Sequence, residues 1–304
     1  MPIDISQFIS PPEPFSGVSS SYGEARYVVV GFPFDLTSTY RLGSRKAPQA
    51  IREASLNIET NSQRTDLYVG DLKVCDLGDI PTTQSLESAL KQLGSLVGEV
   101  TEAGKMPVIL GGEHTLTYAV AQTLRKEGGV LSFDAHFDLR AEYEGRKLSH
   151  TTFMRRVAEK LGSSRIFHVG VRAYCKEEVQ YALSKRMRYL TASDLRSKGL
   201  TKAISIISGF VKELPAYHLT LDMDVLDPAY APGVGNPEPE GIDLTLLLDL
   251  LHNLRGKGNL VSMDLVEVNP EYDHGETAIQ AAHIIFEILC SIEAEKHSYQ
   301  QRVY

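Results

Sequence analysis

Short apolar runs alternate with longer amphipathic stretches along most of the chain. The runs cover residues 27–32, 107–110, 130–133, 166–171, 217–221 and 260–268 and read as strands. The stretches 86–103, 201–214, 244–254 and 277–292 read as helices. In the last of these, Ala278, Ala281, Ala282, Ile285, Ile288 and Leu289 recur at close to helical spacing. Strands that alternate with helices predict a mainly parallel sheet covered on both faces, a three-layer α/β/α architecture. Residues 10–25, rich in Ser, Pro and Gly, read as a surface arm. With no internal repeat, low-complexity tract or linker, the expectation is one domain over 1–304, with 1–25 as its N-terminal arm.

Polar clusters follow the apolar runs at 111–114, 134–138, 222–227 and from 267 onward. Ligands of open parallel sheets bind at the carboxyl ends of the strands, so the four clusters can share one cleft. Asp134, His136 and Asp138 sit at every second position, which in extended backbone turns all three to one face. Carboxylates held that close repel each other and resist desolvation, and a cation between them removes both penalties. Asp222 and Asp224 share a face of an otherwise apolar run with no Arg or Lys nearby in sequence, which also favours a metal. Asp227, before Pro228, reads as the start of a turn. His114 follows two glycines that permit a sharp turn at the mouth of the cleft. Four carboxylates and two imidazoles without a thiolate suit Mn²⁺, or Mg²⁺, Co²⁺ or Fe²⁺, better than a structural zinc. Six ligands exceed the needs of one hydrolytic ion; two ions, bridged by carboxylates and a hydroxide, use them all.

Composition narrows the partners. A chain of 304 residues with 42% hydrophobic and 23% charged residues is ordinary for a globular protein. The net charge of −8, with no Lys/Arg-dense stripe, argues against nucleic acid and mildly favours cationic substrates. Cys75, Cys175 and Cys290 are odd in number and far apart, which suggests reduced, buried thiols in a cytoplasm. No signal peptide is seen, and no stretch approaches the roughly 20 apolar residues of a membrane span.

The motifs resemble the ureohydrolase (arginase/agmatinase) family, agmatinases most. The matching segments are GGEHT at 111–115, SFDAHFDLR at 132–140, SHTTFMRR at 149–156, GVR at 170–172, LDMDVLDPAYAPGVGNPEPEG at 221–241 and MDLVEVNPEYD at 263–273. GFPFD at 31–35 and GSRKAPQAIREAS at 43–55 also fit, so the likeness spans about residues 27–290. It implies a binuclear manganese centre. His114, Asp134, Asp138 and Asp222 would hold the deeper ion, and Asp134, His136, Asp222 and Asp224 the other. A bridging hydroxide would attack the guanidinium carbon, His150 would shuttle protons, Glu267 would pair with the guanidinium, and Asp138 could pass a proton to the leaving amine. Trimers or hexamers are common in the family. Asp264 reads as a supporting residue, and His168, His218, His252, His283 and His297 as structural.

The chemistry needs such groups. A guanidinium keeps its charge at any working pH, and its delocalised carbon is a poor electrophile. Four Asp, a hydroxide and two divalent ions sum to about −1, and Glu267 makes about −2, so the centre should favour a cation. The departing amine must be protonated, which calls for a mobile acid such as His150. The loop 139–149 lacks the Asn/Ser/Thr pattern with which arginases grip an α-carboxylate. The expected reaction is therefore agmatine to putrescine and urea. Glu142, Tyr143, Glu144 and Tyr272 are mouth candidates for the ammonium tail. Three departures bear on this: GGEH for the commoner GGDH, the segment Leu36 to Thr39, and Glu240 where agmatinases carry Gly. N1-aminopropylagmatine is an alternative, as are arginine and guanidinobutyrate, the last through Arg140. An inactive metal-binding homologue and a zinc deacetylase are the rivals of other kinds.

Overall fold

The structure is a computed structural model and describes residues 13–17, 20–82, 85–124 and 127–302, with side chains to 295. Eight strands form one sheet: β1 (Tyr27–Phe32), β4 (Val74–Asp79), β5 (Met106–Gly111), β6 (Gly129–Phe133), β7 (Ile166–Val171), β8 (Arg188–Thr191), β9 (Tyr217–Asp222) and β10 (Leu260–Val266). Their order is β4-β1-β5-β10-β9-β6-β7-β8, and every pairing is parallel. β2 (Asn61–Ser62) and β3 (Leu67–Tyr68) pair apart as a small antiparallel ladder.

Both faces of the inner strands are apolar because both are covered, which is why these strands read as near-continuous runs. On one face Val29, Val108, Leu219 and Met263 pack beneath α1 (Ala47–Ser55), α6 (Ala192–Lys212), α7 (Leu244–Leu254) and α8 (Glu276–Arg302). The other face meets α2 (Leu86–Glu102), α3 (Thr117–Thr123), α4 (Phe153–Leu161) and α5 (Lys176–Ser184) through Val30, Ile109, Val130 and Ile166. The helices start where capping chemistry allows. The Ser85 hydroxyl accepts the Ser88 N–H, the Asp243 carboxylate accepts the Leu246 N–H, and Thr191 with Asp194 forms a reciprocal box.

The expected three-layer α/β/α architecture is therefore found, with differences at its margins. β4 and β8 were not expected. As edge strands they are only partly buried, β4 at its first two residues and β8 at Leu190 alone, so neither reads as an apolar run. The helix expected over 201–214 is the second part of α6, which breaks at Gly199 (φ 74°). β10 ends at Val266, two residues before the expected end. Of the expected arm, residues 1–12 and 18–19 lie outside the described residues; Phe15 is buried against Phe286, ring centroids 5.3 Å apart. By length and composition the window Glu276–Glu295 could cross a membrane, contrary to expectation, but 67% of it is buried as the core helix α8. Arg52 of α1 is buried and grips the β4 edge, with Nε 2.7 Å from Asp76 Oδ2 and Nη1 2.6 Å from Asp79 Oδ1.

Candidate metal centre

The four strands whose ends carry the polar clusters are spatial neighbours: β5, β10, β9 and β6 lie side by side at the middle of the sheet. His114 follows β5 in a tight turn. Gly112 makes that turn possible, since a Cβ there would lie 2.1 Å from the Phe34 carbonyl oxygen. Asp222 ends β9, Asp134 follows β6, and Glu267 follows β10.

Two carboxylate–imidazole triplets result: His114, Asp134 and Asp222, then Asp134, His136 and Asp224, each with its ligand atoms within 4.8 Å of one another. His114 Nδ1 lies 3.0 Å from Asp222 Oδ2, 3.2 Å from Asp134 Oδ2 and 3.8 Å from Asp138 Oδ2. His136 Nδ1 lies 2.9 Å from Asp224 Oδ2 and 3.6 Å from Asp134 Oδ1. Asp134 thus belongs to both triplets. Asp222 turns its other oxygen to accept the Asp224 N–H at 2.8 Å.

The convergence is not produced by strand alternation. β6 ends at Phe133, a bend follows at Ala135, His136 makes an isolated bridge to Ala173, and Asp138 adopts φ 53°, so the segment is not one extended strand. Asp224 likewise sits in a 3-10 turn (Met223–Val225) beyond β9, not on the strand. Glu267, expected in a strand, has φ 66°. Such non-glycine conformations are costly and cluster at functional sites.

Buried partners fix the ligand atoms. Thr220 gives its only proton to Asp264 Oδ1 at 2.5 Å, so its oxygen accepts from His114 Nε2 at 2.8 Å and leaves Nδ1 for the carboxylates. Asp264 also meets Thr117 and His218, which makes it the supporting residue expected. Arg172 gathers the carbonyls of Asp224, Val225, Glu238 and Pro239 and ties the Asp224 turn to the mouth loop. Asp227 accepts the N–H groups of Ala229 and Gly241, as a turn residue does.

The electrostatics explain what the cluster wants. Burial, and then the neighbouring carboxylates, push Asp138 and Asp222 well above the usual range. Burial opposes protonation of His114 and His136, but their Asp partners outweigh it and raise both. Without cations the cluster must therefore take up protons. Divalent ions would replace that charge, and the all-oxygen and imidazole donor set fits them. Among the described residues no other such triplet occurs.

The cleft above has a volume of about 330 Å³ and is lined by Thr39, Arg140, Tyr143, His150, Tyr174, Cys175, Asn236, Glu238 and Glu267 as well as His114, His136, Asp138, Asp222 and Asp224, with Asp134 beneath. Glu267 Oε1 accepts the His114 N–H at 2.8 Å, and burial pushes its carboxyl up to about 8. Burial also pushes His150 down to about 4, and its Nδ1 has no protein partner. Glu142, Glu144, Tyr272 and Glu240 do not line the cleft. Glu240 faces solvent in a left-handed turn, and Tyr272 instead carries the Arg41 guanidinium 4.8 Å from its ring centre. Two acidic groups of the lining were not singled out from sequence: buried Glu178, which accepts the Leu139 N–H at 3.0 Å, and Glu238, whose Oε1 lies 3.6 Å from His136 Nε2. Glu238 sits two residues before Glu240; Arg172 holds the Glu238 carbonyl, and Arg196 those of Glu240 and Gly241. Cys175, expected buried, is half-buried at the rim.

Residues 25–291 match the model of the arginase family. The chain belongs to that family. This arginase-family ureohydrolase is 38% identical to the agmatinase of Bacillus subtilis over 88% of its own length and 91% of that protein. It is 34% identical to the mitochondrial guanidino acid hydrolase of Homo sapiens, over 86% of its length and 77% of that chain. The crystal structure of the agmatine ureohydrolase of Thermoplasma volcanium superposes with a TM-score of 0.89 at 34% identity and covers 97% and 99% of the two chains.

Proposed function

We propose that this ureohydrolase cleaves agmatine with water to putrescine and urea. The observation that carries the reading is the pair of triplets sharing Asp134, set in one cleft with Glu267 and His150. The agmatinase relatives and the lack of an arginase-type polar loop favour agmatine within the family.

His114, Asp134, Asp138 and Asp222 would hold one manganese ion, and Asp134, His136, Asp222 and Asp224 a second, with other divalent ions acceptable to the same donors. Bound ions of this kind supply Lewis-acid charge and lower the pKa of water from 15.7 to about 7. Glu267, one oxygen fixed by the His114 N–H, offers the other to the substrate guanidinium and orients it. His150 is neutral in its buried setting, so it can accept the proton that the attacking water gives up and deliver it to the departing amine nitrogen. Asp138 is the second candidate for that delivery. Glu238 and the rings of Tyr143 and Tyr174 give the distal ammonium an acidic and aromatic surround.

One observation favours a second reading. Arg140 also lines the cleft, and its charge suits the carboxylate of guanidinobutyrate. A urea-release screen of manganese-loaded protein over agmatine, N1-aminopropylagmatine, arginine and guanidinobutyrate decides. Agmatine should give the highest kcat/KM, and no urea from agmatine beside turnover of another guanidine refutes the assignment. Manganese bound at two ions per chain supports the two-ion reading, and one ion contradicts it. We further infer a single cytoplasmic domain that self-associates as trimers or hexamers and takes no nucleic-acid or membrane partner, in keeping with the one sheet running from residue 27 to 266 and the net charge of −8.

A further inference from the structure

Two departures from the family's pattern meet in the fold. Glu113, where the family commonly has Asp, is fully buried, and its carboxylate reaches the loop after β1. Its Oε2 accepts the N–H groups of Thr37 at 2.6 Å and Ser38 at 3.1 Å. Its Oε1 accepts the hydroxyls of Thr37 and Thr115, both at 2.5 Å. The Thr37 hydroxyl has one proton and gives it to Glu113, so its oxygen is free to accept the His150 N–H at 3.0 Å. Two residues on, Thr39 Oγ1 stands 3.3 Å from His150 Nε2, while Nδ1 has no protein partner. The loop therefore holds His150 at both backbone and ring, and Glu113 holds the loop.

We propose that Glu113, acting through Thr37, is the positioning residue for His150. This rests on the reading of His150 as the proton carrier. Four donors converge on one buried carboxylate, and each such charge-assisted bond is stronger than a neutral one. An Asp at 113 would withdraw the oxygens by about 1.5 Å, one carbon–carbon bond, and carry the contacts out of hydrogen-bond range. The longer side chain and the Leu36 to Thr39 segment are thus matched to each other. Restoring the family's commoner residue should harm this chain.

The test uses full-length, manganese-loaded protein, with urea release, metal content and thermal midpoint measured together. Thr37→Val should lower kcat about three- to tenfold, the loss of one positioning hydrogen bond, with KM and metal content unchanged. Thr37→Ser, which keeps the hydroxyl, should restore kcat, and Glu113→Asp should behave like Thr37→Val. In a His150→Ala background Thr37→Val should cost nothing further. Parent-level kcat in Thr37→Val, an additive loss in the double variant, or loss of metal from Thr37→Val overturns the proposal. Unchanged kcat in His150→Ala alone refutes instead the reading of His150, whatever Thr37→Val does.

Discussion

Replacing Glu267 by Gln isolates the guanidinium-binding charge. The side chains have nearly the same shape, and the amide oxygen can still accept the His114 N–H that Oε1 accepts at 2.8 Å. The other position changes from an acceptor, which burial pushes up to about 8 and the guanidinium charge would hold ionised, to an N–H₂ donor facing the N–H groups of the substrate. One hydrogen bond to a charged group is lost, worth about 1.5–3 kcal/mol, and the turned dipole adds a smaller opposing term. The hydrogen bond alone predicts a fall in kcat/KM of about 13- to 160-fold, from 1.36 kcal/mol per decade, and the dipole adds to it. Steady-state urea release with agmatine, beside metal analysis of the same samples, reads it. A kcat/KM within threefold of the parent, with both ions present, would refute the pairing. A larger loss accompanied by loss of metal would instead place Glu267 in the support of the His114 turn.

The shared carboxylate gives a second expectation. Asp134→Asn should leave less than one ion per chain, whereas Asp224→Asn should keep the ion at the His114 triplet; two ions retained by Asp134→Asn would contradict the sharing. Arg52→Ala strands the buried Asp76 carboxylate and should cost about 3–5 kcal/mol in chemical denaturation, and a cost under about 1 kcal/mol would show the triad to be dispensable. His168 is fully buried, has no partner at either ring nitrogen, and is pushed by burial down to about 4. As pH falls from about 6.5 toward 4, the unfolded chain binds a proton that the fold refuses, so up to about 3 kcal/mol of stability is lost. His168→Leu should flatten that acid limb in a pH series of unfolding midpoints; an unchanged slope would exclude His168 as its source.

The central architecture was legible because β1, β5, β6, β7, β9 and β10 are covered on both faces and must be apolar almost throughout. β4 and β8 escaped notice because an edge strand obeys a different rule. The metal-capable residues were identifiable from type and spacing, but the geometric reason attached to that spacing was wrong. Asp138 and Asp224 reach the cluster through a left-handed residue and a 3-10 turn, and neither conformation is encoded in a two-residue period. The mouth was the least legible part. Glu240 and Glu238 have the same chemistry, and the loop path, held by Arg172 at Glu238 and Pro239 and by Arg196 at Glu240 and Gly241, separates them. Glu113 could be flagged as unusual from sequence, but its partner at Thr37 lies 76 residues away and required the fold.

The position of β10 has a consequence for how the protein comes into being. It is the last strand to be synthesised, yet it lies between β5 and β9, near the middle of the sheet. A chain released before residue 260 already contains all six metal-capable side chains. It lacks the strand that brings His114 to the other five: His114 stays on one half-sheet, the residues at the ends of β6 and β9 on the other, and two open strand edges face each other across the gap. Closing that gap is a late, long-range event that waits for the C-terminal segment to leave the ribosome. Only the triplet that needs His114 therefore depends on a finished sheet, whereas Asp134, His136 and Asp224 sit on the directly paired β6 and β9; products truncated before β10 should lack the first triplet and be prone to edge-to-edge association.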